Sequence, residues 1–254
     1  MLWNPAYSGL RDISETPIYS DSADGDCFDC LAEVLEEHGK EKRFGVTLLH
    51  HHFPVFPDEV LLEIPNLATD TLEIGVVKAP VAQRAGVSPT SWRFPSHNAT
   101  VASTSEMLVM HYATELLSNF SEGLRDDDLG CLRQVGQVLQ DFKMTSRFGL
   151  AFLDFPFPLR DGDAMIETLD KEIRKLYVRR RPLAEATNIV ETIWQLASNP
   201  SHSSEKTVAG RCKVERSCSR SCKSGCDSRG TDAHYDVHTG RTQHSGDSRH
   251  IEYT

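Results

Sequence analysis

Apolar residues follow both helical and extended spacings in the first part of the chain. Between residues 27 and 38 they recur at helical spacing, which predicts an amphipathic helix that ends at Gly39. Residues 44–53 are apolar on both alternations, which predicts a strand covered on both faces. The runs 59–64 and 71–78 favour strands and are separated by a polar turn, so they predict a hairpin.

Part of this pattern occurs twice. The motif that begins at Arg43 returns 104 residues later at Arg147, and no gap is needed to align the two copies. Of the 37 aligned positions from Cys27 to Glu63, ten are identical, and Glu63 itself aligns with Glu167. We interpret this as an internal duplication. The second copy predicts a helix over about 129–142 and a strand over 147–155.

The two copies are predicted to continue differently after the shared strand. The first copy goes on to the hairpin and a short strand around 91–94. Helical spacing predicts further helices over 105–120, 163–177 and 183–196. The predicted fold class is therefore α+β, with duplicated helix-loop-strand units sharing one sheet, additional helices and a disordered C-terminal tail.

Composition divides the chain into three parts. Residues 1–24 are rich in Ser, Asp and Pro and are predicted to form an N-terminal arm on the domain surface. Residues 25–197 form the duplicated α+β domain, with a first unit over about 27–100 and a second over about 128–197. Residues 198–254 are rich in Ser, Arg, Cys and His and poor in large aliphatic side chains, which predicts a disordered tail.

Charge restricts the classes of partner. Residues 1–197 carry 18 Lys and Arg against 30 Asp and Glu, so this part lacks the positive footprint that nucleic acids and anionic membranes require. The chain shows neither a signal peptide nor an apolar run of the roughly 18 residues that a membrane span needs. Seven cysteines, an odd number, fit a secreted disulfide framework poorly. We therefore expect a cytoplasmic protein whose partner is another protein or a small molecule.

Three consecutive histidines end the first predicted strand and are the main candidates for chemistry. Imidazoles are common transition-metal ligands and general bases near neutral pH. On an extended strand His50 and His52 share a face, whereas His51 points the other way. We therefore predict His50 and His52 as ligands of a divalent transition metal such as zinc. The alternative is that the strand simply emerges into solvent at this point.

The duplication adds a carboxylate to this candidate site. His50 aligns with Asp154, so the two side chains would come close if the duplicated strands approach each other across a pseudo-twofold axis. A carboxylate beside an imidazole fixes its tautomer and raises its basicity. His50 and Asp154 are therefore the predicted catalytic pair. Divergence of the two copies at solvent-exposed strand ends is the alternative explanation.

Two other features have weaker claims to function. Cys27 and Cys30 have the spacing of a redox or zinc half-site, but only Cys27 has a counterpart in the second copy. Arg43 and Arg147 open the two repeated strands and are predicted to contact the aligned acids Glu37 and Asp141 as structural ion pairs. The tail cysteines and histidines do not have the spacing of a common zinc finger.

The sequence leaves two classes of function open. A non-catalytic binding protein is slightly favoured, because no complete catalytic set is visible. The alternative is a small-molecule or metal-dependent enzyme with a histidine-rich site at the end of the first strand. The enzyme requires His50, His52 and a carboxylate to meet in a concave pocket.

Overall fold

A computed structural model describes residue 7 and residues 9–95, 107–114, 123–153, 163–182, 188–197 and 205–213. In these ranges it contains three helices and ten strands. The helices are α1 (Asp21–Glu37), α2 (Ala79–Ala85) and α3 (Asp128–Asp141). The strands are β1 (Phe44–Leu48), β2 (Glu59–Asn66), β3 (Thr71–Lys78), β4 (Val87–Arg93), β5 (Leu108–Thr114), β6 (Phe148–Phe152), β7 (Asp163–Asp170), β8 (Lys175–Pro182), β9 (Ile189–Ala197) and β10 (Glu205–Lys213).

The ten strands form one sheet that closes into a barrel in the order β1-β6-β4-β5-β2-β3-β8-β7-β10-β9. Strand β9 pairs with β1 and completes the ring. The pairs β2–β5 and β7–β10 are parallel, whereas the other described pairs are antiparallel. The mixed helix and strand content and the single sheet agree with the predicted α+β class. Closure leaves this sheet without a long free edge.

Strands β1 and β6 pair about a central position. Val46 lies opposite Leu150, and the register places Phe44 opposite Phe152 and Leu48 opposite Phe148. Val46 and Leu150 are aligned positions of the repeated motif. Phe152 is the aligned counterpart of Leu48, and Phe148 is the aligned counterpart of Phe44, so the two strands pair symmetrically about Val46 and Leu150. A twofold axis through the Val46–Leu150 pair would produce this register.

Helices α1 and α3 pack against each other, and their apolar sides cover β1, β6 and β9. The ring of Phe28 on α1 lies 5.1 Å from that of Phe148 and 5.4 Å from that of Trp194. Leu132 and Leu139 on α3 are buried in the same cluster. The predicted helices 27–38 and 129–142 are thus confirmed. Among the described helices, none is both long enough and apolar enough to cross a bilayer.

Two ion pairs link the long helices to the strands. In each pair, the arginine that precedes one strand of the repeated motif contacts a buried acid near the start of the helix that precedes the other strand. Arg43 donates hydrogen bonds to Asp128 on α3, at 3.2 Å from Nε and 3.0 Å from an Nη atom. Arg147 donates to Asp24 on α1. Asp24 and Asp128 are also 104 residues apart, and both are fully buried. The predicted partners Glu37 and Asp141 are wrong, because both lie on exposed helix ends.

Gly45 on β1 and Gly149 on β6 allow neighbouring residues to approach the strand backbone closely. An added Cβ atom at Gly149 would collide with the backbone carbonyl of Trp92 and lie 2.9 Å from a methyl group of Leu49. An added Cβ atom at Gly45 would lie 2.6 Å from a methyl group of Leu153. The sequence motif therefore places glycine where the neighbouring strand backbone and side chains approach too closely for a larger residue.

In three segments predicted as helices, the described residues form mainly strands instead. The 105–120 segment contains β5, the 163–177 segment contains β7 and the start of β8, and the 183–196 segment contains most of β9. On β9, Val190 and Trp194 are buried four positions apart, which satisfies both a helical and an alternating pattern. Pairing with β1 and β10 selects the extended structure, which the spacing alone does not reveal.

Both ends of the predicted domain extend further than the composition suggests. Strand β10 lies inside the segment predicted to be a disordered tail, yet it pairs with β9 and β7. Backbone pairing on both sides holds this strand, so it needs few large aliphatic residues. At the other end, Leu10 and Ile13 are buried, and the backbone NH of Ile13 donates to the carbonyl of His51 at 3.1 Å. The segment before α1 therefore packs on the barrel.

The confirmed β2–β3 hairpin begins at a buried acid whose ionisation should affect stability. Hydrogen bonds from Arg174, at 2.8 and 3.0 Å, lower the pKa of Glu59 to about 2. This contribution to folding is present above the unfolded-state pKa and is lost as pH falls from about 5 to about 2. Since Arg174 is 30% exposed, we expect about 2 kcal/mol.

We therefore expect Glu59→Gln to flatten the fall in unfolding free energy between about pH 5 and pH 2. Urea titrations at several pH values measure this difference. Glu73→Gln is the control, because the partner of Glu73 is Lys175, which is 41% exposed. Parallel pH curves for wild type and Glu59→Gln would contradict the prediction.

Candidate metal site in the barrel

The two candidate histidines follow directly after β1. The carbonyl of Leu48 accepts a hydrogen bond of 2.8 Å from Nδ1 of His50, so the His50 ring turns its Nε2 atom away from the strand. His51 faces elsewhere, and its backbone bridges to Asp12 in the arm. The extended geometry therefore brings His50 and His52 to one side, as the alternation predicts. Their ring centroids are 4.7 Å apart.

The carboxylate that meets these histidines is Glu167 on β7. Nε2 of His52 lies 2.9 Å from Nε2 of His50 and 3.1 Å from Oε2 of Glu167. Nε2 of His50 lies 3.8 Å from the same oxygen. When both imidazoles are neutral and Nδ1–H of His50 donates to the Leu48 carbonyl, these three ligand atoms share at most one proton. Loss of that proton to solvent on metal binding would leave three lone pairs directed at one point.

The dimensions of this triangle fit a metal ion. The three atoms lie on a circle with a radius of about 1.9 Å. An ion roughly 1 Å above their plane would therefore be about 2.1 Å from each atom, which matches ordinary zinc–nitrogen and zinc–oxygen distances. Two imidazoles and one carboxylate on one side of an ion leave its remaining positions open.

Burial strengthens the electrostatic interactions of this cluster. The side chains of His50, His52 and Glu167 are 10%, 4% and 13% exposed. Burial lowers the pKa of His52, which favours the neutral imidazole that metals bind. Burial raises the pKa of Glu167, but the interactions of its carboxylate with His50 and His52 outweigh this effect and hold the pKa below its usual range. A neutral imidazole and an ionised carboxylate are the forms that a metal ligand requires.

The sequence identified the histidines but not this carboxylate. Asp154, the predicted partner of His50, lies outside the described residues. Glu167 was overlooked because residues 163–177 were predicted to be helical, whereas it lies within β7. One signal was present in the sequence: an acid ends the apolar run Met165-Ile166, and Glu63 occupies the same place in the first copy. An acid repeated in an apolar strand is a candidate functional residue.

The metal-ligand cluster forms part of the wall of a cavity inside the barrel. The cavity has a volume of about 90 Å³, and every strand from β1 to β9 contributes to its lining. Most of the lining residues are apolar, and Leu48, Ile74, Met110 and Val178 are examples. A volume of this size holds several water molecules or a small organic molecule. The candidate ligands therefore face a largely apolar cavity.

The same cavity contains a second polar group. Glu63 on β2 accepts a hydrogen bond of 2.9 Å from Nδ1 of His111 on β5. Thr90 and Ser91 on β4 also line the cavity, next to an irregular register at which Thr90 has no partner on β5. Such irregularities reorient neighbouring side chains and are common beside binding sites.

The CxxC motif does not have the properties of a reactive thiol pair. Burial raises the pKa of the Cys27 thiol to about 12, and burial also raises the pKa of Cys30. Cys27 packs within the core between α1 and the sheet. Reactive cysteines require the opposite shift, toward an ionised thiolate. These features indicate a packing role for Cys27.

Comparison of the chain with protein-family models, with curated proteins and with solved structures finds no match.

Proposed function

We propose that this protein is a metal-dependent enzyme that acts on a small molecule inside its barrel. His50, His52 and Glu167 would hold a divalent first-row transition-metal ion at the cavity wall. Ligand sets of two histidines and one carboxylate occur with zinc and with ferrous iron. The chemistry supplied by the ion would be Lewis-acid activation of a ligand bound at its open positions.

A single observation carries this proposal: all three ligand atoms lie within 4.8 Å of one another at the wall of a cavity. Structural zinc sites usually have four protein ligands and are closed. Three ligands beside a cavity are typical of catalytic sites, where a substrate or water completes the coordination.

The protein groups around the ligands support this role. The Leu48 carbonyl fixes the His50 ring through Nδ1 and leaves Nε2 for the ion. Glu167 would compensate part of the positive charge of the ion in a site largely shielded from water. The apolar side chains around the cavity would exclude bulk water and strengthen these interactions.

We also infer that a gene duplication produced the two helix-strand units and that the histidine ligands then arose in the first of them. The β1–β6 register and the exchanged Arg43–Asp128 and Arg147–Asp24 pairs support the duplication. Glu63 and Glu167 occupy aligned positions, but the histidines have no histidine counterparts. The asymmetric members of the proposed metal site are therefore its two histidines.

The test is the metal content of the purified full chain after loading with Zn²⁺ and removal of excess ion. We expect His52→Ala and Glu167→Gln each to bind one equivalent less than wild type. The full chain is required, since truncation after residue 197 would remove β10. His51→Gln is the matched control, because His51 lies between the two ligands but outside the cluster.

Loading with Co²⁺ separates this site from the cysteines of the tail. The barrel site has nitrogen and oxygen ligands, so its visible absorption should appear without thiolate charge-transfer bands. We expect this signal in wild type and His51→Gln and its loss in Glu167→Gln. Equal metal content and equal spectra in all variants would instead support the alternative, a non-catalytic binding protein in which these histidines are incidental.

A further inference from the structure

We infer that the natural ligand of the cavity is a small, uncharged molecule that carries hydroxyl groups on a short hydrocarbon skeleton. Glu63, His111, Thr90 and Ser91 would bind its hydroxyl groups. This inference rests on the proposed function, because it names the substrate class of the same cavity. It depends on different residues from those that would bind the metal.

Unsatisfied hydroxyl groups provide the first argument. The side-chain oxygens of Thr90 and Ser91 are buried and have no hydrogen-bond partner among the described residues. The two residues are only 4% and 6% exposed, and both line the cavity. A buried hydroxyl without a partner costs about 1–3 kcal/mol. A ligand that donates to or accepts from these oxygens would recover that cost.

The charge of the lining provides the second argument. The described residues around the cavity include the acids Glu63 and Glu167 but no Lys or Arg. An anionic ligand such as a phosphate or carboxylate would therefore meet acceptors and negative charge near Glu63. A hydroxyl group can instead donate to the Glu63 carboxylate and accept from a neighbouring hydroxyl. The lining beside Glu63 thus favours a neutral, hydrogen-bond-donating part of the ligand.

The size and the apolar part of the lining complete the argument. The volume of about 90 Å³ suits a small ligand. Leu72, Ile74 and Leu176 contribute aliphatic surface that a short hydrocarbon segment would cover. Small-molecule sites commonly combine such apolar walls with a few placed polar groups. A short-chain diol has both of these properties.

Two probes that share one skeleton test this inference: propane-1,2-diol, which is neutral, and lactate, which is its carboxylate analogue. Binding is measured by saturation-transfer NMR on the full chain treated with a chelator, so that the result does not depend on metal. We expect the diol to bind and lactate to bind at least tenfold more weakly. Glu63→Gln should reduce this discrimination by removing the negative charge.

Thr90→Val provides the site-specific test, and we expect it to weaken diol binding about five- to tenfold through loss of one hydrogen bond. Thr192→Val is the matched control. The Thr192 hydroxyl is likewise buried without a partner among the described residues, but Thr192 does not line the cavity. The inference is overturned if lactate binds as well as the diol, if both valine variants behave alike, or if neither probe binds. None of these outcomes affects the metal measurement, so the two proposals fail separately.

Discussion

Replacement of Arg147 by Met is expected to destabilise the fold by about 3–5 kcal/mol, because it leaves the Asp24 carboxylate buried without its cation. Asp24 is fully buried, and Arg147 also donates to the backbone carbonyl of Ile18 at 2.7 Å. The cost arises because transfer of an unpaired charge from water to a protein interior is unfavourable. Urea unfolding of the purified variant measures it.

The equivalent substitution in the other half should cost less. Asp128 keeps Lys40, whose Nζ atom lies 2.8 Å from its Oδ1 atom, when Arg43 is replaced by Met. We expect a loss of about 1–2 kcal/mol for Arg43→Met, which is smaller than the loss expected for Arg147→Met. The aligned position of Lys40 in the second copy is Met144, so Asp24 has no corresponding lysine.

Neutralising Asp24, which Arg147→Met leaves without its cation, gives a further test of the cost of charge burial. Asp24→Asn in the Arg147→Met background should recover at least about 1 kcal/mol, since an amide is less costly to bury than a carboxylate. Asparagine can still accept the hydrogen bond that the backbone NH of Ser20 donates at 2.8 Å. Equal losses for Arg43→Met and Arg147→Met, or no recovery in the double variant, would show that charge burial does not determine these stabilities.

Local pattern was sufficient to predict the elements whose periodicity is unambiguous. Helices α1 and α3, strand β1 and the β2–β3 hairpin follow from spacing, a terminal glycine and a polar turn. Strand β9 did not, because Val190 and Trp194 fit both periods. Strand β10 was missed for a different reason: it is held by two neighbouring strands rather than by its own apolar residues.

The candidate site was predictable in part for the same physical reason. Alternation along a strand depends only on residues two positions apart, and it placed His50 and His52 on one side. Glu167 is 115 residues from His52 in sequence, and only the closed barrel brings β7 to the end of β1. The repeated acid at Glu63 and Glu167 marked the position but did not identify its partners.

Metal binding is expected to stabilise the folded protein by about 4 kcal/mol when the free ion is present at a thousand times its dissociation constant. The reason is that the three ligands lie on two separate segments, the residues just after β1 and strand β7, which unfolding separates. The gain is the difference between unfolding free energies in Zn²⁺ and in chelator. We expect the gain in Glu167→Gln to be below about 1 kcal/mol.

The difference between the unfolding free energies in Zn²⁺ and in chelator distinguishes a metal-binding cluster from one that only supports the fold. If the cluster only supports the fold, Glu167→Gln will lose the same stability in chelator and in Zn²⁺. If it binds metal, most of the loss will appear in Zn²⁺ alone. His51→Gln should retain the full gain, because His51 is adjacent in sequence but contributes no ligand atom to the cluster. A metal-dependent gain that persists in Glu167→Gln would assign the stabilising ion to another part of the chain.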